Sequence, residues 1–329
     1  MKLVLAFCVL WSSVCVASAR TIVFGDSLSD AGNLFTADPS LVPSPPYPDG
    51  QFTNGNVWAA QIGSDLASGL NFAWGGATAL PAVDGIPDLT VQVANFIRSD
   101  ANAPGRANVA IWIGANDLLE ALESVGLVSG VSDPKDIGIS PGAVDLAALN
   151  STLLETADAV VMTIAEEVLT LSRFAEINPN FIVFGLPELG KTPLVRALGP
   201  EVAVLMDEVT RYFNAELRAA VEAGELIDIP TTFFDINGEF EEILEDPSAF
   251  GIENTTEACL VAAPIGCLLG DPDPNTFLFY DPLHPSARVH EILAEEYLNI
   301  VPVPASLPLL LGGLVLVAGM RIGVRKKDV

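Results

Sequence analysis

Only two histidines occur in the 329-residue chain, His284 and His290, so histidine chemistry must run through one of them. His284 stands in Asp281-Pro282-Leu283-His284-Pro285. An aspartate three residues before a histidine, in a loop stiffened by prolines, can set a carboxylate against one imidazole nitrogen. The other nitrogen then faces outward as a base. Such a base needs a group that gives up a proton. Phe24-Gly25-Asp26-Ser27-Leu28-Ser29-Asp30 offers one: an apolar run ends in glycine, which permits a sharp turn, and Ser27 follows. A serine hydroxyl is a poor nucleophile until a neighbouring base takes its proton. Ser27, His284 and Asp281 are therefore candidates for the nucleophile, base and orienting acid of an acyl transfer. Taken singly, each has a plainer reading. Ser27 suits a helix N-cap, a frequent task for serine just after a strand, and Asp-x-x-His suits an ordinary surface loop.

These residues need a scaffold that brings positions 27 and 284 together. The runs 21–25, 108–114, 181–185 and 227–236 are rich in β-branched and aromatic residues and read as buried strands, with a weaker one near 69–74. Residues 152–177 and 201–223 read as helices; in the first, Leu153, Val160, Ile164, Val168 and Leu171 recur at three- and four-residue steps. Strands alternating with helices predict an α/β protein with a central parallel sheet covered on both faces. Ser27 then falls at the C-terminal edge of the first strand, where such sheets place their ligand sites. Residues 41–55 and 121–146 read as loops, the second overhanging the site.

In chain order, FGDSLSDAGN (24–33), NFAWGGATA (71–79), IWIGANDLL (111–119) and YDPLHPSARVHEILA (280–294) resemble the four blocks of the GDSL, or Ser-Gly-Asn-His, hydrolases. The segments 45–62 and 184–193 resemble the lipase-like branch of that family. The resemblance implies a three-layer α/β/α flavodoxin-like fold with about five parallel strands. It also assigns roles: Ser27 the nucleophile, His284 the base, Asp281 its partner. The backbone amides of Ser27 and Gly76 and the side chain of Asn116 would be the oxyanion donors. The chemistry suits those types. A glycine amide can be approached closely, and an asparagine offers an uncharged N–H donor to the oxyanion that forms when an ester is attacked. No metal or organic cofactor is required. Asp26, Asp30, Asn33 and Asp117 read as turn-fixing residues, His290 as a structural hydrogen-bonding residue, and Trp58, Trp74 and Trp112 as core or pocket wall. The acidic string 271–275 lacks the glycine and glutamate of a calcium loop.

Both ends read as addresses. Residues 1–19 carry Lys2, an apolar run and Ala17-Ser18-Ala19, the order of a signal peptide. Residues 301–320 are uncharged, long enough to cross a bilayer, and are followed by Arg321, Arg325, Lys326 and Lys327. Val301-Pro302-Val303-Pro304-Ala305 resembles the VPLPA variant of bacterial PEP-CTERM-type sorting tails, which implies processing by a membrane protease; a permanent anchor is the alternative. The chain thus divides into a leader (1–19), a hydrolase body (20–300) and a sorting segment (301–329), and the body is expected outside the cytoplasm. There Cys259 and Cys267 suit a local disulfide. With 42 acidic residues against 15 Lys and Arg, the net charge is −27, which argues against a nucleic-acid partner. The sequence reads as a secreted esterase or lipase acting on an ester or lipid substrate. An acyltransferase or a carbohydrate O-acetylesterase is the alternative on the same fold. A non-catalytic surface or matrix protein is the alternative of another class.

Overall fold

The computed structural model describes residues 20–99, 105–130, 138–139, 144–174 and 177–301. The leader, and all of the sorting segment beyond Val301, lie outside the described residues. Among the described residues no helix is long and apolar enough to cross a membrane.

Four strands form the central sheet: β1 (Arg20–Gly25), β2 (Gly105–Trp112), β3 (Ile177–Phe184) and β4 (Thr231–Phe234), in that spatial order and all parallel. Their apolar runs are buried on both sides, as a sheet sandwiched between helices requires. A fifth segment lies along the outer edge of β1. It bridges to Val23 at Asn71, with hydrogen bonds from Val23 N to Leu70 O (2.9 Å), Phe72 N to Val23 O (2.8 Å) and Trp74 N to Gly25 O (3.1 Å). The expected five strands are thus four full ones and one irregular edge. The edge is irregular because the Asn71 side chain turns inward, donating to the carbonyls of Ser29 (2.8 Å) and Ser64 (3.0 Å). The fourth expected strand, 227–236, is shorter than its composition suggests. Only Thr231–Phe234 pairs, because Ile227 and Ile229 are held in turns by Gly224 and Leu226.

The chain runs from β1 outward to the 70–74 edge and then crosses to the opposite side of β1 to form β2. The order is that of flavodoxin-like sheets, and the reversal opens a crevice between the carboxyl ends of β1 and β2. The connecting helices are α1 (Leu89–Arg98), α2 (Ala115–Ser124), α3 (Leu146–Ser172), α4 (Pro200–Glu222), α5 (Ile236–Glu245) and α6 (Ala287–Ile300). α3 begins earlier than its apolar period suggests, because Asp145 caps it by accepting from the amides of Ala147 (3.0 Å) and Ala148 (3.2 Å). The expected loop 121–146 is shortened from both ends, by α2 and by the start of α3. Val128–Ser129 pairs antiparallel with Gly138–Ile139 within it. Aromatic clusters fill the sheet: Phe24, Phe72 and Phe96 pack together in one, and Trp58, Trp112, Phe184 and Tyr297 in another. Trp58 and Trp112 are fully buried.

Candidate active site

The crevice brings Ser27 and His284, 257 positions apart, within a hydrogen bond: Ser27 Oγ lies 2.8 Å from His284 Nε2. On the other side of the ring, Nδ1 lies 2.7 Å from Asp281 Oδ2. The remaining Asp281 oxygen accepts from the backbone amides of Leu283 (2.8 Å) and His284 (2.7 Å), so one carboxylate fixes both the loop and the ring. All three residues are buried. Burial pushes the Asp281 carboxyl upward, but the His284 charge and these hydrogen bonds outweigh it and hold the group below the usual carboxylate range.

The loop carrying His284 does not follow a strand of the central sheet. It follows Phe277–Phe279, a strand of a small separate pair with Asn254–Ala258. It is braced from outside by the turn-rich segment 41–55, to which the sequence assigns no role in the site. Tyr47 donates its hydroxyl to Asp281 Oδ2 (2.7 Å), Tyr280 donates to the Pro46 carbonyl (2.6 Å), and Thr53 donates to the Pro285 carbonyl (2.9 Å). Phe52 packs against the His284 ring, with centroids 5.2 Å apart. Burial and the adjoining Asp281 charge push the Tyr47 phenol far up, so it remains a donor at any working pH. A single tyrosine in a proline-rich stretch gave no signal of this role. Its partner is 234 positions away.

At the end of β1, a Cβ on Gly25 would stand 2.3 Å from the Trp112 carbonyl oxygen, so only glycine lets β1 and β2 approach this closely at the crevice. Gln92 of α1 brackets this turn, accepting from Gly25 N and donating to Gly25 O, both at 2.9 Å. This residue, too, is silent in the sequence. Asp30 then ties the Ser27 turn to the 71–80 loop. It accepts from the amides of Gly32 (2.8 Å), Asn33 (2.5 Å) and Gly75 (2.8 Å). Asn33 donates to the Ala73 carbonyl (2.8 Å), and Asp117 accepts from Ala79 (2.9 Å) and Leu80 (3.0 Å). Gly76 sits in the middle of this loop with φ +79°, a left-handed conformation natural to glycine. Asn116, in the first turn of α2, donates one amide hydrogen to the carbonyl of Ala77 (2.8 Å), which leaves its second hydrogen available. Among the described residues, the backbone amides of Ser27 and Gly76 have no acceptor.

A small pocket of about 30 Å³ opens beside these groups. Ser27, Asn116 and His284 form part of its wall, and the rest is mostly apolar, including Leu28, Leu189, Phe240, Phe279 and Leu283. Gly76 is not in that wall; it connects to it through Ala77 and Asn116. A second, wider groove of about 330 Å³ also reaches His284, between Tyr47, Leu194, Leu260 and Pro282. Asp26 reaches the first cavity with one oxygen unpartnered, and burial pushes its carboxyl up to about 7. His290, fully buried, accepts from the Trp58 amide at 3.3 Å, and burial holds its pKa down at about 3, so it is a neutral ring in the core. Cys259 and Cys267 are joined in a disulfide, with Cα atoms 5.7 Å apart. Among the described residues no cluster of His, Cys, Asp or Glu is arranged to hold a metal ion. The chain also contains one Gly-x-Ser-x-Gly string, the signature of the common hydrolase elbow, at 138–142. It follows no strand of the central sheet: Gly138–Ile139 pairs only with Val128–Ser129, and Ser140 lies outside the described residues.

An α/β sheet with a serine, histidine and aspartate at its switch point defines a class of acyl-transferring hydrolases. Residues 22–297 match the family model of the GDSL-like lipases/acylhydrolases, and the chain belongs to that family of carboxylic ester hydrolases. Phosphatidylcholine-sterol acyltransferase of Aeromonas hydrophila is 30% identical over 259 residues, covering 74% of this chain and 66% of that one. Lipase 1 of Photorhabdus luminescens is 26% identical over 341 residues, covering 88% of this chain but only 51% of the lipase. The chain thus spans between half and two thirds of the length of these two relatives. A solved structure of phospholipase A1 from Streptomyces albidoflavus NA297 aligns over 84% of this chain and 95% of its own, with 15% identity and a TM-score of 0.42.

Proposed function

We propose that this protein is an exported serine esterase or lipase that cleaves acyl esters of lipids or short fatty acids through an acyl-enzyme on Ser27. The observation that carries the reading is the unbroken chain from Ser27 Oγ to His284 to Asp281, at 2.8 and 2.7 Å. His284 Nε2 takes the Ser27 proton as Oγ bonds to the ester carbonyl carbon, and Asp281 holds the ring and stabilises the imidazolium that forms. The free amides of Ser27 and Gly76 and the second Asn116 hydrogen are the donors for the oxyanion, and loss of one such donor typically costs about 3–4 kcal/mol of barrier. His284 then returns the proton to the leaving alcohol. Water, deprotonated by the same ring, attacks the acyl-enzyme; the bond to Ser27 Oγ breaks, the ring passes the proton back to Oγ, and the acid is released. The apolar side chains around Ser27, among them Leu28, Leu189 and Phe279, suit contact with an acyl chain.

An acyltransferase differs only in letting an alcohol rather than water reach the acyl-enzyme. The Aeromonas relative's name and the wide groove beside His284 favour keeping this as the second reading. Hydrolysis of p-nitrophenyl esters from acetate to palmitate, beside the Ser27→Ala variant, tests the first reading. Turnover is expected in the wild type and at least a thousandfold less in the variant; equal rates would overturn the serine mechanism. Added alcohols that divert the acyl group into new esters would mark the transferase. Export by the 1–19 leader, and handling of the 301–329 segment by a membrane protease, complete the proposal. N-terminal sequencing and intact mass of the mature protein test both cuts.

A further inference from the structure

Residues 258–270 contain no charge and fold into two short helices, Cys259–Ala262 and Pro264–Leu269, stapled by the Cys259–Cys267 disulfide. The cysteines point into the body and are buried, yet the opposite surface is apolar and open to water. Val261 is 63% exposed, Ile265 75%, Leu268 50% and Leu269 80%. Ile265, Leu268 and Leu269 fall at helical spacings of three and four, so they share one face. Large aliphatic side chains this exposed on a rigid, cross-linked knob are unusual for a soluble surface, where such patches mark a partner. The knob is also bound to the site. Leu260 donates its amide to the Tyr280 carbonyl (2.9 Å) at the start of the catalytic loop, and its side chain walls the groove that contains His284 and Asp281. Leu260, next in the chain to the exposed Val261, thus links the knob to the groove.

We infer that this stapled knob docks on a zwitterionic lipid surface and sets the His284 groove against it. The surrounding charge selects that surface. Exposed Glu257, Asp271 and Asp273 bracket the uncharged stretch in sequence, and the whole chain carries −27, so an anionic membrane would repel it. A neutral headgroup layer takes the four side chains without that repulsion. The delivery of an ester to the groove rests on the ester-hydrolase reading; the docking does not.

The test uses the full chain with a local reporter, so that binding by other segments does not register. Leu269→Trp is expected to shift its emission to the blue on phosphatidylcholine vesicles and to be quenched by brominated phosphatidylcholine. Trp58 and Trp112, fully buried, should not respond. Replacing a third of the lipid with phosphatidylglycerol is expected to weaken the signal at low salt. The double variant Ile265→Ser/Leu269→Ser, altered only at exposed positions, should lose about tenfold or more in rate on vesicular esters and keep its rate on a soluble short-chain ester. Emission of the Leu269→Trp variant unmoved by vesicles, a requirement for anionic lipid, or an undiminished vesicular rate would each overturn the inference. So would concentration-dependent self-association abolished by the double variant, which would assign the face to a second copy of the chain. If soluble esters are not cleaved at all, the hydrolase reading fails, and the emission measurement still decides the docking.

Discussion

At the residue scale, the site divides into groups that touch the reacting atoms and groups that hold them. In the proposed mechanism Asn116 belongs to the first. Asn116→Ala would then remove one oxyanion donor and is expected to lower kcat by about 10²–10³ with little change in KM, a split that steady-state kinetics resolves directly. Tyr47 belongs to the second. Tyr47→Phe deletes one hydrogen bond to Asp281 while the two amide bonds to the carboxylate remain. It is expected to lower kcat several-fold, about the effect of roughly 1 kcal/mol, far less than loss of His284 itself. Equal losses from Tyr47→Phe and His284→Ala would show that the tyrosine does more than brace. Ser27, His284 and Asp281 were legible in the sequence because each sits in a short local pattern. Tyr47 and Gln92 were not, because their role exists only across 234 and 67 positions of chain.

At the element scale, the fold is legible where apolar runs are long. β1, β2 and β3 fall on the expected segments because strands buried on both faces read as continuous apolar stretches. The edge at 70–74 and the short β4 were harder, since Asn71 spends its side chain on loop carbonyls and much of 227–236 is turn. The start of α3 is not legible in the apolar period because a cap sets it. The contact between β1 and β2 carries a prediction of its own. Gly25→Ala forces a methyl against the Trp112 carbonyl and should separate the strand ends that carry Ser27 and Asn116. It is expected to cost about 1–3 kcal/mol of stability and most of the activity. Thermal denaturation of the variant beside the wild type checks the first, and ester hydrolysis the second. A variant with wild-type melting would show that the strands have room to spare.

At the scale of the whole molecule, acidity sets how stability follows pH. Burial raises Asp26 to about 7 and Asp30 and Asp117 to about 6. A carboxyl whose folded pKa lies above its unfolded value binds more protons in the folded state, so its contribution is lost as pH rises from about 4 to about 7. His290, held near 3, acts in the opposite sense: below its unfolded pKa of 6.5 it favours unfolding as pH falls. The three carboxyls outnumber the one histidine, and protonation also relieves the repulsion of a chain at −27. The melting temperature is therefore expected to be higher at pH 5 than at pH 7.5, with Asp26→Asn reducing the difference. A melting temperature that rises steadily from pH 5 to 7.5 would contradict this. Everything in this mechanism turns on one hydroxyl, and a fluorophosphonate probe followed by peptide mapping shows whether it is activated. One label per chain is expected, on Ser27, and none in His284→Ala. No label on the wild type, or a label on any other serine, would contradict it.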